Sequence, residues 1–430
     1  MSSHRSAWKR VPSLRVTFRP LAVRLVLGAL IATFVLWVSR ASAGPAPATP
    51  RIALLTMGPG DDFVTKFGHN AIVVEYPGQP ARVYNFGMYT RESITVSRVL
   101  SGHLRYWLAV TPYAETVALY RSQNRSVIAQ ELALVPASAR VLAEALAENA
   151  RPENASYRYD YALNNCTTRV RDLLNNATNG ALSRAVEVGR EVTTYRGYAL
   201  RYAAGDPLLL LLFDLGLGAP ADRSLDGWND TYLPERLAAA VRRGKHAWAG
   251  VERPLVERET VLFAASRPPT LERPPSRWPW YLACGVLVGG ALFASARSQR
   301  REVRVAGAVI AALSSLVVGL LGSMLLGLLL TQVHAVVRPN VNILMCSPLA
   351  LLFVPATVRV ALGRTLRTRR VERWALASSV IAIFGAASTS LIGEQTAHLA
   401  LCFVPFWFGL WEFLRAATLP AAAPSTIRKV

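Results

Sequence analysis

The sequence predicts an exported α+β domain followed by an all-α bundle of about five transmembrane helices. Three observations support that fold class. First, Met1–Arg24 is rich in Arg and Lys and holds no acid, Leu25–Val38 is apolar, and Ala41-Ser42-Ala43 is an A-x-A site. A basic n-region, a short apolar stretch and small residues at the cut form a secretory signal, or an uncleaved anchor of the same orientation. Second, of the acidic residues only Glu302, Glu372, Glu394 and Glu412 lie outside Gly44–Arg277. Third, the long apolar runs lie beyond Arg277. The chain is therefore two unlike parts, and its hydrophobic share of 52% is an average over both.

The exported part begins after the Pro/Ala stretch Pro45–Pro50. Arg51–Thr56 reads as a strand and Gly58–Asp62 as a loop. His69–Tyr76 is β-branched at its centre and partly alternating, the mark of a half-buried strand. Pro77–Pro80 is a turn, and Ala81–Met88 is the returning strand. Ser126–Leu134 is a further strand candidate. Ala137–Asn149, rich in Ala and Leu, is helical. Tyr157–Tyr161 leads through Asn164 and Asn165 into a helix over Thr167–Asn175. Tyr195–Val241 reads as helices. Within it Leu208–Phe213 is too short to span a bilayer, so it is either core or a surface dipping into lipid.

Five apolar segments follow the Pro-rich connector 267–279: Trp280–Ala296, Val305–Leu330, Val341–Leu362, Trp374–Ile392 and His398–Leu414. Each approaches the ~20 residues that cross a bilayer. The expected division is a signal at 1–43, an exported domain at 44–266, a bundle at 280–415 and a tail at 416–430. Arg297–Arg304 holds four Arg and Gly363–Arg373 five, whereas Thr331–Asn340 holds one and Gly393–Ala397 none. An exported first domain puts both Arg-rich connectors inside, which is where they belong. Trp278, Trp280 and Tyr281 make an interfacial belt. The net charge of +21 thus orients helices; no basic stripe interleaves with aromatics, so no nucleic-acid partner is expected.

Four cysteines are too few for a disulfide framework. Cys284, Cys346 and Cys402 fall in apolar segments and read as small buried side chains. Cys166 alone lies in the exported domain, in a compartment that usually pairs thiols. At a loop-to-helix junction the helix dipole is expected to lower its pKa and favour a thiolate. A nucleophilic thiol needs a base. His69, which opens a strand after Phe67-Gly68, is favoured over His103 in a loop; His246, among Arg and Lys, reads as solvated. The membrane part adds polar residues at its outer face: His334, Asn340, Asn342, Glu394 and His398. They are either solvated at the interface or line a groove for a lipid or lipoprotein head group. His334 and His398 lack ligand spacing, so neither a metal nor another cofactor is expected.

The runs FGHNAIVV, VYNFGMY and YRYDYALNNCTTRVRDLL resemble the lipoprotein N-acyltransferase Lnb family, and the likeness continues through YLPERL and VHAVVRPNVNILMCSPLALL. The resemblance implies a circularly permuted papain-like thiol domain, His strand before Cys helix, on a five-helix membrane domain. The family often has an acid just before the nucleophile; here Asn164 and Asn165 stand there, leaving any such role to Asp160. By resemblance, Cys166 attacks an ester carbonyl of a phospholipid and His69 is general base and then acid. Asn85 orients the imidazole. The Cys166 N–H and the Asn165 side chain receive the oxyanion. Arg169 meets a phosphate or Asp172. The acyl group passes to the N-terminal amine of a diacylated lipoprotein. Phospholipid, lipoprotein and membrane are then the partners. Two other classes remain open: a cysteine peptidase or amidase acting on peptidoglycan stem peptides, and a non-catalytic lipid-binding scaffold. Five spans favour a substrate that arrives through the bilayer, since a peptidoglycan hydrolase needs only a tether. Nothing in the sequence speaks to oligomeric state.

Overall fold

The computed structural model describes residues 48–90, 104–186, 193–248, 250–331, 335–366 and 368–418, together with 25, 28–33, 95 and 98. The A-x-A site, His103 and His334 lie outside the described residues. In the N-terminal unit, residues 28–33 are helical.

In the unit from Thr49 onward, the described strands build a seven-stranded sheet ordered β6-β4-β3-β2-β1-β5-β9. The strands are β1 (Arg51–Met57), β2 (His69–Glu75), β3 (Arg82–Met88), β4 (Arg105–Pro112), β5 (Val127–Leu132), β6 (Ser156–Arg158) and β9 (Val256–Phe263). The pair β7 (Lys245–Trp248) and β8 (Val251–Pro254) forms a separate hairpin. The β1–β2–β3 pairs are antiparallel, with Met57 opposite His69 and Val73 opposite Val83. Side chains alternate across a sheet. Ile52, Leu54, Ile72, Val74 and Phe86 therefore pack against Leu142 and Leu146 of α2 (Pro136–Asn149) and Val170 and Leu174 of α3 (Cys166–Ala177). Leu55, Met57, Ala71, Val73 and Val83 face the other way, onto Tyr120 of α1 (Tyr113–Ser122). The central strand β2 is buried on both faces for this reason.

A helical extension follows, with α4 (Tyr195–Tyr202), α5 (Pro207–Gly216) and α6 (Pro234–Arg243). The apolar run falls in α5: Leu209 is buried, Leu211 packs on the core of the helical bundle as does Leu215 just beyond the run, and Leu208 stays exposed.

Among the described residues five spans are long and apolar enough to cross a membrane: Trp278–Arg297, Arg301–Thr331, Asn342–Ala361, Arg370–Leu391 and Ala397–Thr418. They match the five expected segments, with one difference of kind. The third is broken into an α-turn (Asn342–Met345), a 3-10 stretch (Pro348–Phe353) and a final α-helix (Val354–Ala361). Pro348 forces Ser347 into extended backbone and lacks an N–H, so a continuous helix fails there. Small residues let the helices close up: a Cβ on Gly285 would come within 1.9 Å of the Leu401 carbonyl. The sheet-rich domain followed by this bundle is the expected α+β arrangement.

Candidate active site

Cys166 is the first residue of α3. Asn165 caps that helix: its Oδ1 accepts from the N–H groups of Thr167 and Thr168, both at 2.8 Å, and the Thr168 hydroxyl accepts from Asn165 N–H at 2.8 Å. This reciprocal box fixes where the helix starts and hence where the thiol sits. A bulge between Asn85 and Met88 bends β3 as it passes. Gly87, at φ +84°, lies within it, and a Cβ there would stand 3.1 Å from the Cβ of Cys166. Positive φ and close approach together make glycine the fitting residue.

The half-buried Cys166 and the buried His69 line one cleft of about 620 Å³. The backbone N–H of Asn70, the residue after His69, acts to favour the thiolate. Burial pushes the thiol up from its ordinary value, against the pull of the Asn70, Thr167 and Cys166 N–H groups. The expected depressed thiol is therefore corrected. The helix terminus acts in the anticipated direction, but desolvation outweighs it. Burial first, then the Arg125 charge, push the imidazole down to about 3, while Asn85 opposes them. At rest the cleft therefore holds a neutral thiol and a neutral imidazole.

Asn85 shares a sheet face with His69, by alternation from Val83 and Ala71. Its Nδ2 donates to Thr111 Oγ1 at 2.8 Å and to Val83 O at 3.3 Å. That fixes the amide and leaves Oδ1 buried without a partner, as is Nε2 of His69. A carbonyl oxygen and a ring nitrogen on one sheet face, neither with a partner among the described residues, complement each other.

The other expected site residues fare differently. Asn165 Nδ2 donates to Tyr161 O at 2.8 Å and to Tyr232 O at 3.1 Å, which uses both its hydrogens. The expected oxyanion role is withdrawn for that side chain. Arg169 donates to Asn164 Oδ1 at 2.8 Å and lies 4.3 Å over the Tyr157 ring, while Arg171 takes Asp172. His246 is buried rather than solvated and lies outside the cleft lining.

Asn342 is fully buried. It donates to Asp214 O (3.1 Å) and Leu215 O (3.3 Å) and accepts from Thr396 Oγ1 (2.8 Å). Asn340 donates to Leu215 O at 2.8 Å. Glu394 accepts from Val341 N–H at 3.1 Å, and His398 meets Asp214 at 3.2 Å. These residues dock the α4–α5 region to the membrane bundle; Asn340, Asn342 and Glu394 are buried internal contacts, where the sequence left open interfacial solvation or a head-group groove. A span-edge Asn serves either purpose, and only its partners distinguish them.

Sequence reasoning missed Arg125. It is 4% exposed, lines the cleft, and stands 4.6 Å over the Tyr120 ring, which stacks at 6.0 Å on His69. In sequence it is one polar residue of a turn, with no local signal of burial.

Residues 41–199 match the Lnb N-terminal periplasmic domain family, and residues 278–415 match the Lnb transmembrane domain family. Together they take up more than two thirds of the chain, in the order the fold displays. The chain belongs to the Lnb family. It is a multi-pass membrane protein of lipoprotein processing, with its sheet-rich domain on the periplasmic side. No curated protein and no solved structure matches it.

Proposed function

We propose that this Lnb-family protein is a cysteine-dependent N-acyltransferase of permuted papain-like design. It moves a fatty acyl group from phospholipid, through a Cys166 thioester, to the N-terminal amine of diacylated lipoproteins. The observation that supports this reading is that Cys166 and His69 line one cleft, on a domain followed by a five-span bundle.

The steps follow from the resting state. His69, kept neutral by burial, takes the thiol proton as sulfur attacks the ester carbonyl. The oxyanion forms at the start of α3, where the Cys166 N–H and the positive end of the helix favour negative charge. The intermediate expels the glycerol alkoxide, which takes the proton from His69 and leaves as a lysolipid. The lipoprotein amine then attacks the thioester and gives a proton to the base. Collapse to the amide returns that proton to the thiolate. Asn85 Oδ1, without another partner, is suited to hold the imidazolium N–H meanwhile.

Mass spectrometry of lipoprotein N-termini, in cells with the gene deleted and complemented, tests the reading. Wild type restores the N-acyl group and Cys166→Ser does not, although it inserts normally. Unchanged N-acylation on deletion, in a strain without another such enzyme, overturns it.

A further inference from the structure

The cleft holds a cation that neither the thiol–imidazole pair nor the fold accounts for. Arg125 donates from Nε to Gly58 O at 2.8 Å and from Nη1 to Gln123 Oε1 at 3.4 Å, the long end of hydrogen bonding. Its Nη2 is buried, and among the described residues nothing accepts from it. None of its hydrogen-bond acceptors is a carboxylate. Buried guanidinium groups are almost always paired, because an uncompensated charge away from water is costly. The remaining charges in the lining do not fill the gap: Asp61 is taken by Arg267, and Asp62 is exposed at the rim.

We propose that Arg125 is the subsite for the phosphodiester of the acyl donor, so that the enzyme draws its acyl group from a glycerophospholipid and not from an uncharged diacylglyceryl group. This rests on the acyl-transfer reading above. The guanidinium packs on the Tyr120 ring, which also stacks on His69, so one shared ring links it to the reacting pair. In a glycerophospholipid the phosphate likewise stands a few bonds from either ester carbonyl. A phosphodiester also matches the planar fork of arginine. Gln123, itself in the lining, yields its long contact to the incoming oxygen. A diacylglyceryl thioether offers no anion at that place, so acyl transfer runs between two molecules.

The test is acylation of Cys166, read by intact mass in mixed micelles of the full-length protein. Phosphatidylglycerol and a diacylglycerol of the same chains are the two donors. Wild type favours the phospholipid. In Arg125→Gln the phospholipid-over-diacylglycerol ratio falls at least tenfold, and Arg125→Lys recovers part of it. If Arg125→Gln does not fold, wild type decides: glycerophosphoglycerol slows acylation by phospholipid and not by diacylglycerol, whereas inorganic phosphate competes only if a free ion suffices. A ratio unchanged in the variant, or no competition by the phosphodiester, overturns the subsite and leaves acyl transfer standing. No acylation of wild type from either donor overturns both.

Discussion

Two buried arginines divide this molecule into a part that is finished and a part that waits. Arg196, 1% exposed, spends its guanidinium completely. Nε and Nη2 grip the Asp222 carboxylate at 2.8 and 3.0 Å, Nη1 donates to Phe213 and Asp214 carbonyls, Nη2 also meets Leu217 O, and Glu394 stands 4.0 Å away. Arg125, nearly as buried, has one good bond to a carbonyl, one long contact and one empty nitrogen. The same contrast holds around them. At the dock, Asn340 and Asn342 have their partners; on the sheet face that carries His69, His69 Nε2 and Asn85 Oδ1 have none among the described residues. Burial alone does not mark a site here. Nor does a lone unpartnered atom, since Asp214 Oδ1 at the dock has no partner among the described residues either; what sets Arg125 apart is a cation lining the cleft with no carboxylate acceptor.

The largest expected effect breaks the finished side. Arg196→Met leaves Asp222 buried and uncompensated, and removing one partner of a buried pair costs about 3–5 kcal/mol. Thermal unfolding in detergent should show that loss; a stability like wild type would mean the dock is not held this way. Next is the waiting side. Asn85→Ala removes the acceptor proposed for the imidazolium, and a hydrogen bond to a charged group is worth about 1.5–3 kcal/mol. At 1.36 kcal/mol per factor of ten, acylation slows roughly 10- to 100-fold per folded molecule, over and above the stability lost with the amide's bonds to Thr111 and Val83. A large fall in Tm with an unchanged rate would move Asn85 to the structural group. Asn342→Ala is the converse: it costs about 1–3 kcal/mol of stability and spares the rate per folded molecule.

A pH dependence tests the same cleft from another side. The folded-state value of His69, about 3, lies below its ordinary 6.5. The unfolded chain therefore binds the extra proton between those limits. The contribution of His69 to stability is complete above about 6.5 and drains away as pH falls toward 3. His69→Gln should unfold with a shallower slope over that window. Equal slopes would mean the imidazole is not buried neutral.

Much of this was legible in the sequence, for reasons of period and charge. β1, β2, β3 and β5 appeared as apolar or alternating runs, and the spans as apolar lengths with Arg-rich inner connectors. β9, VERETVLF, escaped because as an edge strand it is largely exposed and carries charges at core-like spacing. β4, RYWLAVTP, has only a weak alternation and ends in proline. The break in the third span was written in Cys346-Ser347-Pro348 and masked by its mean hydropathy. In the site, Cys166 and His69 were recognisable by their local settings. Arg125 and the fate of Asn165 and Asn342 were not, since each depends on which distant carbonyl or ring arrives beside it.

The central claim is that Cys166 carries the acyl group, and it has a direct measurement. Purified protein is incubated with phospholipid but without a lipoprotein acceptor, digested, and the Cys166 peptide is weighed before and after hydroxylamine. A hydroxylamine-labile acyl mass on that peptide, absent from Cys166→Ser and discharged on adding a diacylated lipopeptide, is the predicted result. Full N-acylation of the lipopeptide by the Cys166→Ser protein would contradict it.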